Sequence, residues 1–310
     1  MTDGGINPSD VTTPMKAYLF GYPISHSLAP LLHNTLFADL NVPWTYELLE
    51  STNKDDLLEK LKMESCVGSA VTMPHKVEFV KEVDDTTDEG HDIGAINTVF
   101  KRIDAQSGKI KLIGTNTDCF GVRDAFLLNF PDIIEKSTGK PAMVIGSGGA
   151  ARSCIYALWK WFGVSSIYIV NRREDEANGV IEHILATTTS RPIEFIYVKS
   201  VEEAEKLEGP ALIIGAIPDK TPVTPEEVLN DKIKMTFLSK PTKGYVIEMC
   251  YHPNPITRFY RECESNGWKV IPGTEPMIYQ GVAQQMLWTG FPLEKFSTEN
   301  AAKAINKHIC

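Results

Sequence analysis

The chain has 310 residues, 43% apolar and 23% charged, which is ordinary for a soluble globular protein and long enough for two hydrophobic cores. Its net charge of −9 offers no attraction to nucleic acid or to an anionic membrane, and no stretch approaches the roughly 20 uninterrupted apolar residues that span a bilayer. The six cysteines form no CxxC pair and no His-rich cluster accompanies them, so neither a metal site nor a disulfide framework is indicated, and reduced thiols in a cytoplasmic protein are expected.

Residues 1–13 are polar and turn-forming and read as a flexible tail. AYLFGYP (17–23) has strand character, and Pro30 suits the first turn of a helix through LLHNTLFADL. A short strand at 44–49 leads to a charged helix near 55–63. CVGSAVTM reads as a buried strand stopped by Pro74, with a helix expected over about 76–83. INTVFKR and KIKLIGT flank a Ser107-Gly108 turn and predict a hairpin.

Beyond Asp118 the pattern becomes strand-helix-strand. AMVIG is a short apolar strand, AARSCIYALWKWFG a helix ending near Gly163, and SSIYIVNRR a second strand, together a βαβ unit. EFIYV, GPALIIGAIP and GYVIEMCYHP supply further strands, and MIYQGVAQQMLWTG has helical periodicity after Pro272-Gly273. The expected organisation is one domain over 14–118 with 273–310 and a dinucleotide-binding domain over 119–272.

Three stretches carry chemistry. VTMPHK ends on Lys76 and GTNTDCFG contains Asp118; an amine and a carboxylate beside a nicotinamide suit reversible oxidation of a secondary alcohol, since a proton moves with the hydride. Gly146, Ser147, Gly148, Gly149 and Ala150 follow the GxGxxA form, in which small residues bring backbone N–H groups to a pyrophosphate at a helix N-terminus; the alternative is a turn that serves packing only. At the end of the next strand Asn171, Arg172 and Arg173 favour a 2′-phosphate, and Glu174, Asp175 and Glu176 oppose it, so NAD and NADP both stay open on these residues. Ser25 and Ser27, ahead of the helix opened by Pro30, either receive a carboxylate or cap that helix.

Taken in order, GYPISHSLAPLLHN, VTMPHK, GAINTVF, GTNTDCFG, VIGSGGAARS, NRR and PGTEPMIYQGVAQQMLWTG resemble the shikimate/quinate dehydrogenase family, over Ala17 to Gly290. The resemblance implies an α/β fold of two domains: an N-terminal α/β substrate-binding domain and a Rossmann-type, doubly wound dinucleotide-binding domain, with the C-terminal helices returning to the first. It also implies that Lys76 and Asp118 are the catalytic pair, with base, hydrogen-bond donor and electrostatic anchor all open for Lys76. Ser27, Thr72, Asn97, Tyr251 and Gln280 fall on its substrate-binding positions.

Two departures bear on specificity. Ala29 stands where the family has a second carboxylate-binding serine, and it leaves room for the tetrahedral, hydroxylated carbon of quinate. Arg173 and Glu176 stand where NADP-dependent members resemble a threonine and an arginine, which favours NAD. The implied activity is oxidation of quinate, and shikimate as a second substrate, to the 3-dehydro ketone with NAD. The alternatives are an NADP-dependent shikimate dehydrogenase and a non-catalytic quinate or shikimate sensor.

Overall fold

Two six-stranded sheets organise the chain, in a computed structural model that describes residues 11–104, 106–187 and 193–309. The chain divides into two units, one taking in the residues up to Gly121 and those from Met277 onward, the other Val122–Pro276. The boundaries therefore fall three and four residues beyond the expected ones. Of the expected tail, residues 1–10 lie outside the described residues. Residues 11–13 depart from the tail reading: Val11 is buried among apolar neighbours, and the Thr13 carbonyl accepts from Trp44 Nε1 at 2.8 Å.

In the first unit, β1 (Lys16–Gly21), α1 (Ala29–Asp39), β2 (Thr45–Glu50), α2 (Lys54–Lys62) and β3 (Cys66–Val71) come in succession, followed by β4 (Asp85–Thr86), α3 (Asp88–Ile93), β5 (Thr98–Ile103) and β6 (Ile110–Thr115). The sheet order is β2-β1-β3-β5-β6-β4. β1 pairs parallel with β2 and β3, whereas β5 runs antiparallel to β3 and β6, giving the hairpin read from its turn residues. Side chains alternate across β1: Ala17 and Leu19 join one core with Phe37, Trp44 and Trp288, and Tyr18 and Phe20 join another with Leu57, Phe79 and Val99. All of β3 is buried, as a central strand covered on both faces requires.

Local chemistry sets the helix ends. Asn53 caps α2 by accepting from Asp55 N, with acids in the first turn and lysines in the last, matching the helix dipole. Where a helix was expected over 76–83, the chain forms only a 3-10 turn at Glu78–Glu82. Only ten residues separate the Pro74 turn from β4, and the β-branched Val77, Val80 and Val83 favour neither a nucleus nor its propagation.

In the second unit, α4 (Asp118–Asn129, which crosses the boundary), α5 (Ile133–Ser137), β7 (Ala142–Ile145), α6 (Gly149–Trp161), β8 (Ser166–Val170), α7 (Glu174–Thr187), β9 (Glu194–Tyr197) and α8 (Val201–Lys206) come first. β10 (Leu212–Gly215), α9 (Pro225–Leu238), β11 (Tyr245–Glu248), α10 (Arg258–Ser265) and β12 (Lys269–Pro272) complete it. The chain then enters α11 (Thr274–Thr289) and ends in α12 (Thr298–Ile309). Every strand pair is parallel, in the order β12-β11-β10-β7-β8-β9. The chain moves outward from β7 to β9, returns to the centre and moves outward again to β12, so the sheet is doubly wound and its order reverses between β7 and β10. Strands β7, β8, β10 and β11 are wholly buried, each aliphatic contributing about 1.5–3 kcal/mol relative to exposure. Among the described residues no helix is long and apolar enough to cross a membrane.

Candidate active site

Within the first unit, β3, β5, the start of α4 and α11 bring four functional side chains together. The loop leaving β3 is pinned by Thr72 N donating to Phe20 O (2.8 Å) and His75 N donating to Thr72 O (2.9 Å). The His75 ring is buried and stacks on Phe20, with centroids 4.4 Å apart, which fixes the residue before Lys76. The Lys76 carbonyl accepts from Ile96 N at 2.8 Å. From this anchored base Lys76 Nζ donates to Asp118 Oδ2 at 2.5 Å, with the two side chains 16% and 11% exposed. A charged hydrogen bond at that distance, largely removed from water, belongs to the stronger class of such contacts.

Asp118 opens α4, and its placement is local in origin. Its backbone N–H donates to Asn116 Oδ1 (3.0 Å), while Asn116 Nδ2 donates to the Ala95 carbonyl (2.9 Å). Asp118 Oδ1 accepts from Asn97 Nδ2 at 2.8 Å. Asn97 is 3% exposed and uses both ends of its amide: Oδ1 accepts from Thr117 N (2.7 Å) and Thr98 Oγ1 (2.7 Å), and Nδ2 also reaches Gln280 Oε1 (3.2 Å). An ammonium, a carboxylate and two amides thus form one partly open cluster, able to grip a hydroxyl and move its proton.

Thr72 lies four residues before Lys76 in the same loop. Ser25 is exposed and Ser27 half-buried; Ser27 Oγ accepts from Ala29 N at 3.2 Å, so it occupies one of the first N–H groups of α1. Tyr251, by contrast, belongs to the second unit, three residues past β11. Sequence reasoning did not single out Thr117 or Gln284. A signal for the latter exists, since it lies four residues after Gln280 on α11 and shares its face.

The cofactor candidates gather in the second unit, where the order of the sheet reverses. Gly146 has φ +116°, and a Cβ there would sit 2.9 Å from the Ala216 carbonyl oxygen, so only glycine fits between the ends of β7 and β10. At Gly148 a Cβ would meet nothing within 4 Å, and no side chain caps α6, whose first residues are Gly149 and Ala150. This leaves open space before a helix N-terminus with free N–H groups, an arrangement that fits a pyrophosphate.

Beyond β8, Asn171 Nδ2 and Ser147 Oγ both donate to Glu176 Oε2, each at 3.2 Å, so this carboxylate joins the glycine loop to the strand end. Arg173 pairs with Asp175 (2.7 Å) and Glu176 (3.4 Å), and Arg172 with Glu227 (2.9 Å). A pocket of about 280 Å³ opens beside them, lined by Asn171, Arg172, Tyr197 and Leu229 among others. Among the described residues no cluster of His, Cys, Asp and Glu is placed to hold a metal.

Residues 19–99 match the family described as "Shikimate dehydrogenase substrate binding domain". The chain is 38% identical over 288 residues to a quinate dehydrogenase of Emericella nidulans, covering 88% of this chain and 87% of that protein. Its fold is shared with the dehydroquinate dehydratase and shikimate dehydrogenase of AroM from S. pombe, at a TM-score of 0.74 and 30% identity over 94% of this chain. This chain spans 53% of that one. A shikimate 5-dehydrogenase from Thermus thermophilus, solved with NADP(H) and shikimate, matches at a TM-score of 0.71 and 25% identity, over 94% of this chain and 99% of the other.

Proposed function

Because the chain belongs to the shikimate/quinate dehydrogenase family, and so is an NAD(P)-dependent dehydrogenase acting on a CH–OH group, we propose that it oxidises the ring secondary alcohol of quinate to the 3-dehydro ketone. NAD is the hydride acceptor, and Lys76 and Asp118 manage the hydroxyl proton. In this reading the first unit holds the small-molecule substrate and the second the dinucleotide. The observation that carries it is the 2.5 Å contact between Lys76 Nζ and Asp118 Oδ2, two side chains 42 positions apart.

Oxidation removes a hydride from the ring carbon and a proton from its oxygen, and the nicotinamide ring, when bound, accepts the hydride. The rest falls to this chain. The Lys76–Asp118 pair accepts the hydroxyl proton: Lys76 faces the substrate oxygen, Asp118 holds the lysine through Oδ2 and supplies the carboxylate that takes up the charge, and Asn97 donates to its other oxygen. The released proton passes through the pair to solvent, for which its partial exposure leaves a route. Gly146, Ser147, Gly148, Gly149 and Ala150 would hold the pyrophosphate, and Asn171, Arg172 and Arg173 the adenosine side.

The choice of NAD is supported by Glu176. A 2′-phosphate placed against Arg173 would also face this carboxylate, and both arginines are already engaged by acids. A ribose 2′-hydroxyl, in contrast, could donate to it. The choice of quinate is supported by Ala29, which offers no second hydroxyl to a carboxylate and leaves room for a tetrahedral carbon. The 38% identical relative, itself named a quinate dehydrogenase, points the same way. Catalytic efficiencies for quinate and shikimate with NAD and NADP test the reading. Quinate with NAD should lead; a lead for shikimate with NADP overturns both specificities, and silence in all four pairs overturns the activity.

A further inference from the structure

Buried polar groups continue from Asn97 to His33. Gln284 is 1% exposed, and its Nε2 donates to Thr98 Oγ1 (2.9 Å) and to the Asn97 carbonyl (3.3 Å). Its Oε1 lies 3.1 Å from His33 Nε2. Across the ring, Gln285 Nε2 lies 3.1 Å from His33 Nδ1 and donates to the His33 carbonyl at 3.3 Å. His33 is fully buried and stacks on Tyr46, centroids 4.2 Å apart, and burial pushes its imidazole down to about 3, so it is neutral.

Backbone groups fix the donors along this chain of contacts, and the backbone carbonyl of Asn97, which can only accept, likewise requires Nε2 of Gln284. The backbone N–H of Thr117 can only donate, so the Asn97 atom 2.7 Å away is Oδ1. Thr98 Oγ1, 2.7 Å from the same oxygen, gives its proton there and keeps lone pairs for Gln284, whose facing atom is therefore Nε2. Gln284 Oε1 then faces His33, so Nε2 of the imidazole carries the proton and Nδ1 accepts from Gln285. With the other tautomer Gln284 would turn over, Thr98 would donate to Gln284, and Asn97 Oδ1 would lose a donor.

We propose that His33 and Gln284 are positioning residues for the reaction: the Thr117 N–H sets the polarity of the Asn97 amide, and Gln284, held by His33, leaves the Thr98 hydroxyl to give Asn97 Oδ1 a further donor, which holds the amide with its N–H bonds pointing at Asp118 and Gln280. This rests on the reading of Asp118 as half of the proton-handling pair. Neither residue belongs to the Lys76–Asp118 cluster; both act through Asn97.

The polarity is read first on the unsubstituted full-length chain, labelled with ¹⁵N-histidine, from long-range ¹⁵N–¹H correlations. The signal lost in His33→Gln identifies His33. It should show the Nε2–H tautomer; the Nδ1–H tautomer, or a mixture, overturns the proposal without reference to activity. Kinetics then test the consequence. Gln284→Met and His33→Leu should lower kcat about 2- to 12-fold, the equivalent of one hydrogen bond, while leaving KM for the dinucleotide unmoved. His33→Gln, whose amide nitrogen can still donate to Gln284 Oε1, should recover most of the rate. Equal losses in His33→Leu and His33→Gln would reduce the site to packing and overturn the proposal. If the functional reading itself fails, the unsubstituted chain turns over none of the four substrate and cofactor pairs, a result separate from the tautomer.

Discussion

Replacing Glu176 by Gln should move cofactor preference toward NADP. In the structure Glu176 Oε1 lies 3.4 Å from Arg173 Nε, so a phosphate seated on that arginine would stand within roughly 4 Å of a second negative charge. Two unit charges at that separation repel by about 1 kcal/mol in water, and a phosphate carries nearly two, so removing the carboxylate is worth about 1.5–2 kcal/mol, or roughly 10- to 30-fold in relative efficiency. Glutamine keeps an oxygen for Ser147 Oγ and Asn171 Nδ2, so the loop geometry should survive. The assay is the ratio of kcat/KM for NADP to that for NAD, followed by reduced-nicotinamide absorbance at low and at high salt. The ratio should rise, and by less at high salt, where such exposed charges are screened. A ratio unchanged within twofold, or a rise indifferent to salt, would refute the reasoning.

The two loop glycines should separate folding from binding. Gly146→Ala forces a side chain into φ +116° and against the Ala216 carbonyl, and should lower unfolding free energy by about 1–3 kcal/mol in denaturant titration. Gly148→Ala meets no protein atom and should spare stability while weakening dinucleotide binding, measured by fluorescence titration. Glu248 is 2% exposed at the end of β11, and burial holds its carboxyl well above the usual range. The unfolded chain ionises there near 4.3, so above that value the fold binds the extra proton and its stability falls as pH rises toward the raised folded value. Glu248→Gln should therefore gain stability over the unsubstituted chain progressively as pH rises above about 5; a constant difference would contradict this. Ala29→Ser should raise efficiency for shikimate over quinate by roughly tenfold, the scale of one hydrogen bond to a charged group, read from the two kcat/KM values.

Much of the fold is legible in the sequence because its signals are local. AMVI, the small-residue turn after it and SIYIV spell out a βαβ unit, and Ser107-Gly108 marks the hairpin of β5 and β6. Other elements are weakly written. The buried stripe of α7 is only Ala177, Val180 and Ile184 among acids, and that of α12 only Ala301 and Ile305. Helix α9 carries a full capping box in Thr224 and Glu227, a local signal that the strand and motif patterns around it overshadow. At Glu78–Glu82 the β-branched valines and the short span together leave a 3-10 turn in place of the expected helix.

The candidate site divides in the same way. Lys76, Asn97, Asp118 and Gln280 stand in motifs that the family resemblance marks, and the structure brings those four together. The bond from His33 to Gln284 crosses 251 positions and joins two residues that look like ordinary helix-core polar groups. Only the donor and acceptor count in three dimensions gives them a role.

The central claim is that Lys76 and Asp118 handle the proton of the alcohol, and turnover of Lys76→Ala tests it most directly. With saturating quinate and NAD, kcat should fall by about 10²- to 10⁴-fold while KM for NAD changes little, as removal of proton transfer but not of cofactor binding requires. A Lys76→Ala chain that turns over at close to the unsubstituted rate would contradict the account.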